Sequence, residues 1–170
     1  MLYVVATPIG NLGDITLRAL EVLKGIDVVA AEDTRHSGLL LKHFGIKKPF
    51  VSYHEHNEAA RTAQLIECLA RGENIALITD AGTPGLSDPG MRLIRECISR
   101  KLPFTILPGT SSILTALLGS GFATDNDHLV FGNSNILQVS EIIRNLSQEG
   151  NISDGFPPSS GDTAERRDTE

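Results

Sequence analysis

The sequence predicts an α/β protein in which a mainly parallel five-stranded sheet carries helices on both faces. Short apolar runs, typical of strands buried on both sides, alternate with helical patterns along the first 120 residues. Each run leads into a loop rich in glycine, proline or charged residues, and Gly25, Gly45 and Gly72 end three of the helical patterns. Because strands and helices alternate, we expect right-handed crossovers and parallel strands.

The elements follow in a regular order. The predicted strands are 2–6, 26–31, 50–53, 75–78 and 104–107. The predicted helices are about 16–24, a segment with Leu39, Leu40 and Phe44, about 58–71, about 91–100 and 113–118. Helical periodicity places Leu17, Leu20 and Leu23 of the first helix, and Ala59, Leu65, Ile66 and Leu69 of the third, toward the core. Ser111 or Ser112 is expected to cap the last helix.

Composition narrows the class of protein. A hydrophobic fraction of 41% describes a globular chain, and no run approaches the length of a membrane helix or the pattern of a signal peptide, which favours the cytoplasm. Cys68 and Cys97 lack CxxC spacing and are interpreted as small core residues. The net charge of −6 comes from residues 121–170, which carry nine acidic and three basic groups. The body is nearly neutral and neither requires nor excludes a nucleic-acid partner.

The stretch IALITDAGTPGLSDPG, residues 75–90, is the most informative part of the chain. A buried strand opens there into a loop of glycines, prolines and short polar side chains, which lets a ligand approach the backbone. A surface turn is the simpler alternative. The loops after the other predicted strands fall at the same carboxyl edge, however, and ligands of parallel sheets bind at that edge.

Known nucleotide signatures do not account for these loops. The chain has no GxxxxGK[ST] and no GxGxxG. Gly10, Gly13 and Glu32 imitate a dinucleotide site, but the glycine spacing is wrong and Pro8 stiffens the turn.

Two charged loops leave alternatives open. His54 and His56 would point in opposite directions on a strand end, which argues against a metal site, so the loop either contacts a substrate or is solvated. The segment Glu32 to Arg35 either starts a helix or holds phosphate or ribose.

Five ordered motifs resemble the ribosomal RNA small-subunit methyltransferase I family, within the tetrapyrrole methylase superfamily. They are TPIGNLGDIT, AEDTR, YHEHNE, TDAGTPGLSDPG and PGTSS, and the resemblance spans about residues 1–124. It implies methyl transfer from S-adenosylmethionine to the ribose 2'-hydroxyl of a cytidine in small-subunit rRNA, by a homodimer that acts on the assembled small subunit.

The resemblance also implies roles for particular residues. Those expected to line the cofactor site are Pro8, Asp80, Ala81, Gly82, Thr83, Ser87, Asp88, Ser111 and Ser112. Glu32, Asp33 and Glu55 are candidates for accepting the hydroxyl proton. Asp14, Arg35, His54 and His56 are expected to contact or orient the substrate.

The motif pattern lapses after residue 125. We therefore expect an α/β methylase domain at 1–120, the start of a degenerate or truncated second domain at 121–150, and a disordered tail at 151–170. With half of the cofactor cleft unbuilt, the chain is expected to bind S-adenosylmethionine poorly. Two alternatives remain: methylation of a small tetrapyrrole, and a non-catalytic remnant that dimerises.

Overall fold

The computed structural model describes residues 1–85 and 88–121. The chain divides into two units, Met1–Ser112 and Ile113–Glu170, and the first contains the whole sheet. The strands are β1 (Leu2–Val5), β2 (Val28–Ala31), β3 (Phe50–Ser52), β4 (Ile75–Ile78) and β5 (Phe104–Leu107). The helices are a short 3-10 helix at Leu12–Asp14, α1 (Leu17–Gly25), α2 (Thr34–His43), α3 (Glu58–Ala70), α4 (Met91–Ser99) and α5 (Ser112–Gly119).

The five strands form one parallel sheet in the order β3-β2-β4-β1-β5, which confirms the predicted fold class. Leu2 pairs with Ile75 of β4 on one side and with Phe104 of β5 on the other. The strand and helix boundaries agree with the predicted ones to within two residues, except that α2 had no predicted start.

Helices cover both faces of the sheet. Side chains of α1 and α2 pack with Val5 and Ile78 on one face, whereas those of α3 and α4 pack with Val4 and Leu77 on the other. Neighbouring strand residues thus supply opposite layers, as the twofold period of a strand requires. This is why each strand reads as a continuous apolar run.

The connections reverse direction across the sheet. The chain runs outward from β1 through β2 to β3 with α1 and α2 on one face, then returns through β4 to β5 with α3 and α4 on the other. The helices that follow the neighbouring strands β2 and β4 therefore leave on opposite faces. Such a switch point opens a crevice at the carboxyl edge of a parallel sheet.

Two predicted core positions are wrong. Leu17 is 80% exposed and Ala59 is also exposed, while Ala19 and Thr62 are buried instead. Both exposed residues lie in the first turn of a helix that starts at the carboxyl edge of the sheet. At that edge the helix has little sheet beneath it, so helical periodicity alone assigns these residues to the core incorrectly.

The cysteine interpretation is confirmed for one residue. Cys97 is fully buried in the core, Cys68 is half-buried, and both thiols are free. None of the helices within residues 1–85 and 88–121 is both long enough and apolar enough to cross a membrane. Ser87, the predicted tail at 151–170 and nearly all of the predicted segment 121–150 lie outside the described residues.

Candidate functional site

The loops after β1 and β4 are joined by hydrogen bonds at the carboxyl edge of the sheet. The amide of Thr7 donates to the carbonyl of Gly82 at 2.9 Å, and the amide of Gly82 donates back to Thr7 at 3.1 Å. The buried Thr7 hydroxyl donates to the carbonyl of Thr79 at 3.0 Å. The loop after β4 is therefore fixed against the end of β1, which keeps it from collapsing over the edge.

Threonine hydroxyls extend this connection to the loop after β5. The hydroxyl of Thr110 donates to the carbonyl of Thr7, and that of Thr83 donates to the carbonyl of Thr110 at 3.2 Å. We call the five residues Thr7, Thr79, Gly82, Thr83 and Thr110 the threonine seam. It holds three loops as one surface with exposed backbone beside it.

Two glycines permit the close approach of these loops. Gly82 has a φ of +83°, in the left-handed region that glycine adopts without strain. A Cβ on Gly109 would lie 2.7 Å from the Cβ of Ala6 at the end of β1. The loop after β5 could not pack against β1 with any larger residue there.

Three carboxylates meet at the switch point between β2 and β4. Partial burial raises the pKa of Glu32 above its ordinary value, and the charges of Asp88 and Asp80 raise it further. The main-chain amide of Asp80, which donates to this carboxylate, and the nearby His54 ring lower the Glu32 pKa in part. Burial and the charge of Asp80 likewise raise the pKa of Asp88. We call Glu32, Asp80 and Asp88 the acidic cluster.

Asp33, although adjacent to Glu32 in the chain, has a different environment. Its carboxylate caps α2 by accepting from the Arg35 amide at 2.8 Å, and it pairs with the Arg35 guanidinium at 3.0 Å. These bonds lower the pKa of Asp33 to about 2. The Asp33 amide donates to an oxygen of Asp80 at 3.3 Å, which ties the start of α2 to the acidic cluster.

The loop after β3 is held by an asparagine. The Asn57 side chain accepts from the His54 amide at 2.9 Å and donates to the Ser52 carbonyl at 3.1 Å. Its amide nitrogen also lies 3.1 Å from Nε2 of His54. Nδ1 of His54 is buried and has no hydrogen-bond partner among the described residues.

The expected orientation of the two histidines is wrong. β3 ends at Ser52, before His54, so the rings sit in a turn, edge to face, with centroids 5.9 Å apart. Within residues 1–85 and 88–121, no group of three or more histidine, cysteine, aspartate or glutamate side chains could hold a metal ion.

Glu58 links two segments near the site through hydrogen bonds, and the sequence analysis did not identify it. One of its carboxylate oxygens accepts from the buried Tyr53 hydroxyl at 3.1 Å and from the Gly90 amide at 3.2 Å. Glu58 thereby connects β3 with the point where the long loop enters α4. As the first residue of α3, it looks in the sequence like an ordinary helix-start carboxylate.

A hollow of about 240 Å³ lies beside the acidic cluster. It separates the loop after β1 from α2, and it is lined by Pro8, Leu12, His36, Leu39, Leu40, His43 and Asp80. We call it the α2 hollow. Sequence reasoning assigned no role to His36 or His43, because their spacing is informative only once β1 and α2 are known to be neighbours.

The structure brings some of the predicted site residues together. Glu32, Asp80 and Asp88 form the acidic cluster; Gly82 and Thr83 belong to the threonine seam; and Pro8 and Asp80 line the α2 hollow. Asp14, Glu55, His56 and Ala81 are exposed at the same edge of the sheet, and Ser111 directly precedes α5, which starts at Ser112. The seam threonines Thr7, Thr79 and Thr110 were not predicted, since a threonine near a strand end carries no distinct sequence signal.

Comparison with known proteins supports this picture. The family model of the tetrapyrrole (corrin/porphyrin) methylases matches residues 1–149. Proteins named "Ribosomal RNA small subunit methyltransferase I" from Haemophilus influenzae and Pasteurella multocida are 58% and 55% identical to this chain over 125 residues. Those residues are 74% of this chain but 44% of either relative, so the chain spans less than half the length of these curated relatives.

A solved structure shows the same fold. The uroporphyrin-III-C-methyltransferase from Thermus thermophilus superposes with a TM-score of 0.55 at 28% identity, over 74% of this chain and 53% of that one. Its matched region contains the same arrangement of parallel sheet and flanking helices that positions the loops described above. From the extent of the family match, the chain belongs to the tetrapyrrole (corrin/porphyrin) methylase family, and it resembles in particular the members named ribosomal RNA small subunit methyltransferase I.

Proposed function

We propose that this chain serves in the 2'-O-ribose methylation of a cytidine in small-subunit rRNA, with S-adenosylmethionine as methyl donor. The observation that carries the proposal is the acidic cluster at the switch point, built on loops within the family match. The names of the 58% and 55% identical relatives supply the rRNA substrate class. The expected setting is the cytoplasm, with the small ribosomal subunit as partner and a homodimer as the working form.

The carboxyl edge has the chemistry that the donor requires. When bound, S-adenosylmethionine supplies an electrophilic methyl group on a positively charged sulfur. The carboxylates of Asp80 and Asp88 provide negative charge for such a cation, and Ala81, which follows Asp80 in the same loop, is exposed. The other residues proposed to line this site are Pro8, Gly82, Thr83, Ser111 and Ser112, together with Ser87, which lies outside the described residues.

Glu32 is the best of the three proton acceptors proposed from the sequence. Its raised pKa makes the carboxylate more basic, and it belongs to the acidic cluster with Asp80 and Asp88, which supports this role. Asp33 is a poorer acceptor because its oxygens are occupied by the α2 cap and by Arg35. Glu55 is exposed in the loop after β3 and receives no comparable support.

The substrate contacts proposed from the sequence are Arg35, His54, His56 and Asp14. Arg35 exposes 91% of its side chain and can offer donors to a phosphate while it holds Asp33. The His54 and His56 rings lie edge to face with centroids 5.9 Å apart, and His56 is exposed. Asp14 ends the 3-10 helix on the loop after β1. Holding a ribose hydroxyl in line between such groups and the donor is the main catalytic requirement.

A methyl-transfer assay tests the proposal. Small ribosomal subunits from cells that lack the modification would be incubated with the chain and labelled S-adenosylmethionine, and the modified nucleotide identified by mass mapping. We expect label on a cytidine ribose, and a loss of about 100-fold or more for Glu32→Gln, the usual contribution of a general base. Asp33→Asn and Glu55→Gln serve as matched carboxylate controls and should retain more activity.

Two other functions are separated by the same assay. Similarity to the uroporphyrin-III-C-methyltransferase favours a small tetrapyrrole as substrate, so a porphyrin precursor is included as a second acceptor. Label on the tetrapyrrole alone would replace the proposed substrate. Dimerisation without label on either acceptor would instead favour a non-catalytic dimerising protein.

A further inference from the structure

Basic and neutral side chains dominate one continuous segment of an otherwise acidic chain. Residues 34–54 carry four lysines and arginines and three histidines but no carboxylate, while the whole chain has a net charge of −6. This segment forms α2 and the connection to β3. Its exposed side chains, which we call the α2 surface, are Arg35, His36, Leu39, Lys42, His43 and Lys47.

The α2 hollow forms one side of this surface. His36, Leu39 and His43 follow helical spacing and therefore share one face of α2. Leu39 is 67% exposed, an unusual position for a leucine between two imidazoles. The hollow holds about 240 Å³, below the range of drug-sized ligand pockets, and its walls combine leucine side chains and Pro8 with two imidazole rings and Asp80. A flat aromatic group of the size of a nucleobase matches these walls.

A second hollow forms the other side of the α2 surface. It measures about 360 Å³ and is lined by Lys42, Lys47 and Lys48 over an apolar floor that includes Leu41 and Phe50. Lys48 donates to the carbonyl of Ile26 at 2.6 Å, which fixes its ammonium group at the rim. Neither Lys42 nor Lys47 takes part in an ion pair within the described ranges 1–85 and 88–121. Three lysines around a hollow without a carboxylate suit a phosphate.

We propose that the α2 surface binds a single-stranded segment of RNA, with one unstacked base in the α2 hollow and backbone phosphate at the lysine-lined hollow. The inference rests on the proposed function and identifies how its substrate strand would reach the acidic cluster, since Asp80 belongs to both the cluster and the α2 hollow. Proteins recognise single-stranded RNA by stacking bases on aromatic rings, histidine included, and by binding phosphates with cations.

The positive charge of the α2 surface favours RNA over a second copy of this chain or another protein as its binding partner. A second copy of this chain packed through the same face would bring its own lysines against these lysines. A protein partner would leave the ammonium groups of Lys42 and Lys47 unpaired unless it were acidic. A polyanion with planar bases satisfies the cations and the apolar hollow together.

RNA binding by purified variants tests the inference. The probe is a fluorescently labelled single-stranded oligocytidylate of about ten nucleotides, followed by anisotropy over a series of salt concentrations. Lys42→Ala/Lys47→Ala should reduce the slope of log affinity against log salt by about 0.7 for each phosphate that is no longer neutralised. Leu39→Ala and His36→Ala should weaken binding about fivefold or more while the slope stays unchanged. These side chains are exposed, so the variants should keep the fold, which thermal melting checks.

The matched control removes two cations from the opposite face of the sheet. Arg92 and Arg95 are exposed on α4, and Arg92→Ala/Arg95→Ala should leave both the affinity and the slope close to those of the unaltered chain. Equal losses for this pair and for the lysine pair would overturn the inference, because any surface charge would then serve. Failure of the unaltered chain to bind the probe would overturn it as well.

The outcomes separate this inference from the proposed function. Loss of binding confined to the α2 variants supports the surface even if no methyl transfer to small subunits is observed. Methyl transfer that is unchanged in the α2 variants, together with unchanged RNA binding, overturns the surface but leaves the methyltransferase proposal intact. A dimer in sedimentation that Leu39→Ala dissociates, with RNA binding unaffected, would assign the α2 surface to a second copy and also overturn the inference.

Discussion

Glu32 and Asp33 show how strongly environment separates two carboxylates that are adjacent in the chain. The pKa of Glu32 is raised by burial and by two neighbouring carboxylates, whereas that of Asp33 is lowered by Arg35. The reason is geometric: β2 ends just before them, so one side chain faces the switch point and the other caps α2. The sequence identifies both as candidates, but only their neighbours in space distinguish their chemistry.

Glu32 is predicted to reduce stability at neutral pH. A folded pKa raised above the unfolded value means that its favourable contribution is complete below about pH 4.5 and is lost as pH rises through the folded pKa. Glu32→Gln removes the charge, so the melting temperature at pH 7 should rise. Thermal melts at pH 4 and pH 7 measure this, and the gain should vanish at pH 4. A gain of equal size at both pH values would contradict the assignment.

Gly109 is predicted to tolerate no side chain. In Gly109→Ala the new methyl group would lie 2.7 Å from Ala6 Cβ, and such overpacking costs about 1–3 kcal/mol. Urea unfolding measures the loss. Gly38→Ala is the matched control, because a Cβ there meets nothing within 4 Å and alanine favours the interior of α2 by about 0.5–1 kcal/mol. Equal stability changes in the two variants would show that the contact with Ala6 is not limiting.

At the scale of elements, the strands and helices were predictable because each has a strong local signal. Apolar runs locate all five strands, and Thr16 caps α1 by accepting from the Ala19 amide at 3.1 Å, as a threonine at a helix start predicts. The connections between loops were not predictable. Hydrogen bonds join Thr7 to Thr79 and to Thr110, which are more than seventy residues away in the sequence, and no local sequence pattern indicates such bonds.

The threonine seam should contribute to stability as a unit. Thr7→Val keeps the shape of the side chain but leaves the buried Thr79 carbonyl without its hydroxyl donor, a loss of about 1–3 kcal/mol. Urea unfolding gives the loss, and hydrogen exchange should show faster exchange at the Gly82 amide. Thr105→Val on β5 is the control, since the Thr105 hydroxyl has no hydrogen bond within the part of the chain that the structure describes. Similar losses in both variants would mean that the seam adds nothing specific.

The cap of α2 should make stability depend on acid. Asp33 has a folded pKa of about 2, below its unfolded value of 3.8, so its contribution is complete above pH 3.8 and is lost as pH falls toward 2. Asp33→Ala should lower the melting temperature by a few degrees at pH 7, and the difference should narrow in acid. Asp33→Asn, which retains a capping oxygen, should be less affected and largely independent of pH. Thermal melts between pH 2 and pH 7 follow both, and a pH-independent loss for Asp33→Ala would contradict the role of the charge.

At the scale of the whole molecule, the sequence predicts the parallel sheet but not the order of its strands. Alternation of strands and helices requires crossovers without saying which strand each crossover reaches. The order β3-β2-β4-β1-β5 places β2 beside β4, and this neighbourhood creates the acidic cluster. Five motifs point to one edge of the sheet, and their grouping around the switch point follows only from topology.

Binding of S-adenosylmethionine by this chain is predicted to be weak. The described sheet provides one set of loops around the acidic cluster, and the chain spans 44% of the length of its rRNA methyltransferase relatives. Titration calorimetry should give a dissociation constant well above that of a full-length relative measured alongside it. Asp80→Asn and Asp88→Asn should weaken binding further if these carboxylates face the sulfonium. If this chain bound S-adenosylmethionine as tightly as the relative does, the prediction would be wrong and the described loops would be sufficient to bind it.

The central position of β1 in the sheet also affects how the polypeptide folds during its synthesis. Leu2 pairs with Ile75 and Phe104, so β1 has no neighbour in the sheet until β4 and β5, which follow it in the chain, have been synthesised. The nascent chain must carry this apolar strand unpaired until then, which slows folding and exposes the strand to aggregation. A chain without β1 would lack the strand that lies between β4 and β5. The strands at the two edges of the sheet could not fill that gap.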